Sequence, residues 1–136
     1  MIGIDTNLLV RYLTRDDAAE AAIADAVIES RTSEDPGYVP AVVMAELWWV
    51  LSRSYGWAAP DIAQAMEGIA QAEEIRLEQP GCVAQALAAA GRGQGFADAL
   101  ICAVSLKAGA RELVTLDRKA AKLAHVRLAA DYLADA

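Results

Sequence analysis

Short apolar runs, each set off by helical text, constrain this chain more than any other feature. Residues 1–5, 38–39, 75–77 and 112–116 read as strands, and 126–128 as a last short one. Between them the spacing predicts helices over about 7–13, 16–31, 41–54, 60–72, 82–90, 96–108 and 118–123. Glu34-Asp35-Pro36-Gly37 and Gln79-Pro80-Gly81 read as turns, and Pro40 suits the start of a helix. Strands alternating with helices imply an α/β fold, a central parallel sheet flanked by helices in three layers. No repeat and no linker divides the 136 residues, so a single domain over 1–136 is expected.

The chain is 56% hydrophobic, largely through its 31 alanines, which favour helix and close helix packing. The longest stretch without a charge, 79–91, has 13 residues. A membrane span needs about 20, so no membrane association is expected. No basic segment followed by an apolar one opens the chain, so no secretory signal is read. Cys82 and Cys102 lie in Ala-rich helical text and read as buried reduced thiols of a cytoplasmic protein. Spacing alone leaves a disulfide between them open.

The net charge of −7 argues against nucleic acid as a partner, but its distribution is uneven. Residues 16–35 hold seven acids and one base, whereas 107–127 hold six bases and two acids. One side could therefore meet a polyanion; solvated surface is the plain alternative.

Four acids stand in unusual places. Asp5 ends the first strand and Asp117 the fourth, so both are expected at the carboxyl edge of a parallel sheet, where active sites lie. Glu46 lies in VVMAELWWVL, with Val42, Val43, Trp49 and Val50 as helical neighbours, and is expected to point partly inward. Asp98 opens the helix of FADALICAV. Singly, each has a plain role: Asp5, Asp98 and Asp117 at helix starts, Glu46 paired with Arg11 or Arg53. Clustered, they would repel one another and need counter-charge, which a hard divalent cation supplies. One histidine, His125, and two distant cysteines do not make a zinc-type site, so Mg²⁺ or Mn²⁺ fits best. No serine elbow or Cys–His arrangement offers a nucleophile, and Gly91–Gly95 lacks the lysine and hydroxyl of a phosphate loop.

In order and spacing, IDTNLLVRYL, AELWWVL, FADALICAV and LVTLDRKAAKL resemble the PIN domain family, and within it the VapC-type toxin ribonucleases of bacterial toxin–antitoxin pairs. The resemblance covers essentially the whole chain. It implies a PIN-like fold and Mg²⁺- or Mn²⁺-dependent hydrolysis of RNA phosphodiester bonds. It places Asp5, Glu46, Asp98 and Asp117 in the catalytic site, with Asp5 and Asp98 as metal ligands. Thr6, Asn7 and Thr115 would hold carboxylates or substrate by hydrogen bonds. Arg118 and Lys119, next to Asp117, would meet the RNA backbone. Many relatives carry one more acid three residues before the third; here that position is Gly95. The resemblance further implies a cognate VapB-like antitoxin and a homodimer.

Other readings keep part of this. A stand-alone PIN nuclease in RNA processing would share the chemistry without an antitoxin, and a non-catalytic PIN-fold binding module would share only the fold. A haloacid-dehalogenase-like phosphatase also begins with an acid after strand one but needs a second Asp two residues on, where Asn7 stands.

Overall fold

The computed structural model describes residues 1–136. The fold is α/β, every strand pairing is parallel, and two units are distinguished, Met1–Pro80 and Gly81–Ala136.

The first unit runs β1 (Ile2–Gly3), α1 (Thr6–Thr14), α2 (Ala18–Glu29), β2 (Gly37–Val39), α3 (Ala41–Arg53), α4 (Ala59–Gln71) and β3 (Ile75–Leu77). Its sheet has the order β1-β2-β3, with Gly3 opposite Tyr38 and Tyr38 opposite Arg76. Ile4 N–H donates to the Tyr38 carbonyl at 2.8 Å, so the ladder persists one residue past β1. Helices α1 and α2 start where the sequence supplies a cap. Asp5 accepts from Thr6 N–H at 2.8 Å, and Asp17 accepts from Glu20 N–H at 3.0 Å. Pro40 offers no side-chain cap to α3, and the need is met from afar: Ala41 N–H donates to Glu78 Oε1 at 2.8 Å. Helix α1 ends at Arg15, whose φ of 57° turns the chain out through the left-handed region.

One face of each helix is apolar and buried. Leu9 of α1, Met44, Leu47 and Leu51 of α3, and Ile62 and Met66 of α4 are fully buried, as is Val39 of β2. Each such side chain contributes about 1.5–3 kcal/mol by leaving water. The acidic stretch over 16–35 is largely occupied within the unit: Arg11 pairs with Asp16 at 2.8 Å and Glu20 at 2.5 Å, Arg15 with Asp25 at 2.7 Å, and Arg31 with Asp35 at 3.0 Å.

The second unit holds all but the first residue of α5 (Pro80–Gly91), then α6 (Phe96–Lys107), β4 (Leu113–Thr115), β5 (Val126–Leu128) and α7 (Ala129–Ala134). Strands β4 and β5 pair with Thr115 opposite Leu128. Val83, Ala86 and Phe96 are fully buried. Cys82 and Cys102 are buried and unbridged. The helix expected over 118–123 is a single 3₁₀ turn, Ala120–Lys122, because Leu123 returns to extended backbone at ψ 148°. Helix α7, unforeseen, is short and exposed along most of its length. No helix is long and apolar enough to cross a membrane.

Candidate active site

Asp5 lies two residues beyond β1, exposed, at the start of α1. Only its Oδ1 is engaged, as the cap on Thr6 N–H. Oδ2 is left to another partner. Thr6 itself is buried, 3% exposed, and its hydroxyl donates to Glu46 Oε1. The start of α1 is thereby joined to the middle of α3.

Glu46 does not point inward. It is exposed, and its neighbours Val42 and Trp49 are 72% and 58% exposed. Helix α3 packs through Val43, Met44, Leu47 and Leu51 instead. The apolar residues around Glu46 fill more than one face, so their number overstated the width of the buried stripe. Nor does Glu46 pair with Arg11 or Arg53: Arg11 is held by Asp16 and Glu20, and Arg53 makes no ion pair.

Asp5, Thr6, Asn7, Glu46, Trp49 and Val50 line one cleft of about 430 Å³. It contains two carboxylates and no basic side chain, and neither acid is in an ion pair. Its donors are hard oxygens: two carboxylates, a hydroxyl and an amide. That donor set fits Mg²⁺ or Mn²⁺, which take oxygen ligands, and offers no imidazole or thiolate for a softer ion. Val50 reads from sequence only as an apolar helical neighbour of Glu46; such a side chain carries no signal that separates a cleft wall from core.

The other two acids belong to the second unit. Asp98 sits in the first turn of α6, half-buried, with no hydrogen-bond or ion-pair partner on its carboxylate. Gly95 is the residue before α6, and a Cβ there would lie 3.0 Å from Asp98 Oδ2. The missing side chain thus leaves room for the carboxylate to fold back over the helix start, whose partial positive charge favours it. Asp117 lies two residues past β4, exposed; its Oδ1 accepts from Lys119 N–H at 2.8 Å and Ala120 N–H at 3.3 Å, capping the 3₁₀ turn. Thr115 reaches Asp117 through the backbone: its Oγ1 accepts from Asp117 N–H at 3.1 Å. Arg118 and Lys119 are exposed, with no acid paired to either. Within neither unit do three or more His, Cys, Asp or Glu side chains gather at metal-holding distance.

A family model described as PIN domain matches residues 2–126. The chain belongs to the PIN domain family. The PIN match begins in β1 and ends at the first residue of β5, so all four acids fall within it and α7 lies beyond. The chain is also 27% identical over 121 residues to the VapC ribonuclease of Aquifex aeolicus (strain VF5), a match covering 88% of this chain and 90% of that one.

Proposed function

We propose that this PIN-family chain is a Mg²⁺- or Mn²⁺-dependent endoribonuclease and the toxin of a VapBC-type pair, held in check by a VapB-like antitoxin. The observation that carries the reading is the Asp5–Glu46 cleft, where two carboxylates share one space with no base. Its family and its likeness to a VapC ribonuclease support the same conclusion. Residues 1–136 then act as one PIN domain in the cytoplasm, as a homodimer, with Asp98 and Asp117 joining Asp5 and Glu46 at one metal site.

In that site Asp5 and Asp98 would be the direct ligands. The cation, when bound, supplies positive charge that favours a deprotonated attacking water and a negative leaving oxygen. Glu46 has one oxygen fixed by Thr6, so the other is presented in a set direction to orient the water and take its proton. Asn7, on the same cleft wall, is placed to hold substrate by its amide. Asp117 is kept in place by the N–H groups after it, and Arg118 and Lys119 hold the RNA backbone beside it. Water attacks phosphorus, the bond to the 3′ oxygen breaks, and no protein nucleophile is used.

The test is cleavage of RNA by purified, antitoxin-free protein. Wild type is expected to cut with Mg²⁺ or Mn²⁺ and to stop with chelator, and Asp5→Asn or Asp98→Asn to lose about a hundredfold or more. Cutting that persists in chelator and in both variants would contradict the proposal.

A further inference from the structure

We infer that the unit Gly81–Ala136 carries a binding site for a nucleoside monophosphate, either free or as one unit of an RNA strand, in a cleft that uses none of the four acids. The cleft has a volume of about 490 Å³, within the range of small-molecule sites. Arg92, Lys122 and His125 line it, each exposed, and no acid does. None of the three is in an ion pair.

That is unusual for this molecule. Its net charge is −7, and elsewhere the arginines that line its clefts share them with acids. Arg11 faces Glu20 across one cleft, and Arg127 shares another with Glu112 and Asp135. Two unmatched cations, Arg92 and Lys122, at the rim of a cleft on an acidic protein are a local attraction for an anion. The floor is apolar and buried: Ala99, Cys102 and Ala103 are 8%, 6% and 8% exposed. A cationic rim over an apolar floor suits a ligand with a charged end and a flat, weakly polar body. Phosphate and base meet that description together, with Gln85 and Gln94 at the wall to hydrogen-bond base edges.

The backbone holds the rim in place. Helix α5 closes through Gly93 at φ 82°, with Gln94 N–H donating to the Ala89 carbonyl at 3.0 Å, which sets Arg92 and Gln94 at the cleft. Arg92 reaches only Gln94 Oε1, at 3.4 Å, a weak contact that an anion would displace. His125 sits in the left-handed region at φ 64°, uncommon for a residue other than glycine, while its carbonyl accepts from Leu113 N–H at 2.8 Å. Strain of this kind concentrates at functional sites. The glycine-rich segment 91–95 and His125, to which sequence alone assigned no chemistry, thus share one task.

His125 is the only histidine in the chain, so its ring proton resonances report on this cleft alone. The full-length protein in chelator, at fixed pH, is titrated with adenosine 5′-monophosphate, with a short single-stranded RNA and with inorganic phosphate, and the His125 resonance is followed by NMR. A saturable shift with the nucleotide is expected, with half-saturation moved about tenfold higher in Lys122→Glu and in Arg92→Glu. Tighter binding by RNA than by the nucleotide identifies the strand as the source; equal or weaker binding identifies the free nucleotide. A His125 resonance that none of the probes moves, or that moves equally in both variants, overturns the inference, and phosphate matching the nucleotide overturns the part played by the base. None of these outcomes bears on metal-dependent cleavage, which the acid variants test.

Discussion

The hydroxyl of Thr6 donates to Glu46 across 40 residues of sequence, and Thr6 also supplies the N–H that Asp5 caps. One buried threonine therefore touches both acids of the cleft. Loss of its hydroxyl should be felt at Glu46, which has no other hydrogen bond to fix its direction, while the backbone N–H that Asp5 caps is kept.

Thr6→Val keeps the shape of the side chain and removes the donor. It is expected to lower stability by about 1 kcal/mol, modest because Glu46 remains open to water. RNA cleavage should fall about tenfold or more, the scale on which groups that orient ligands act. Thr6→Ser should restore most of the cleavage. Urea denaturation and a cleavage assay on the three proteins check both halves; a Thr6→Val protein as active as wild type would remove Thr6 from the positioning of Glu46.

Acid should weaken the first unit through Asp16. The Tyr55 hydroxyl, then the Thr14 hydroxyl, then Arg11 favour the charged carboxylate and hold it down to about 2, from the ordinary 3.8. A carboxyl depressed on folding stabilises above its unfolded value, and that stability is lost as pH falls through the folded one. The urea midpoint of the wild type should therefore fall more steeply between pH 3.8 and 2 than that of Asp16→Asn. Parallel curves would show that Asp16 adds nothing to the pH response.

Helix α3 should prove sharply two-sided. Leu47→Ala removes a side chain with no exposure and is expected to cost about 2–5 kcal/mol. Val42→Ala, at a position 72% exposed, should stay within about 0.5 kcal/mol. Denaturant midpoints of the two variants check this. Similar costs would mean that the Val42 face is covered in the folded protein.

Much of the fold is legible because its signals are local. The strand at 75–77 and the helix at 41–54 are bounded by turn residues, proline and apolar spacing, and the structure places them within a residue. What escapes is set by distant partners. Glu78 caps α3 from beyond β3, and no spacing near Pro40 announces it. Glu46 reads from sequence as partly inward because VVMAELWWVL is apolar on nearly every side; the choice of packed face comes from the neighbouring helices. Strand 1–5 shortens to Ile2–Gly3, since Asp5 has turned to cap α1. Asp5 and Asp117 stand out in sequence as acids at strand ends, and both do cap the turn that follows. Capping occupies one oxygen of each and leaves the other, so the plain role and the proposed one coexist.

The proposed cation site would join Asp5 and Glu46 with Asp98 and Asp117. Its most direct test is a Mn²⁺ titration of the antitoxin-free protein, followed by electron paramagnetic resonance, for wild type, Asp5→Asn and Asp98→Asn. Wild type should bind Mn²⁺, and each variant should bind about tenfold or more weakly, since each loses a ligand to the same ion. Asp98→Asn binding as tightly as wild type, or a wild type that ignores Mn²⁺ altogether, would contradict a shared site and reduce the acids to caps.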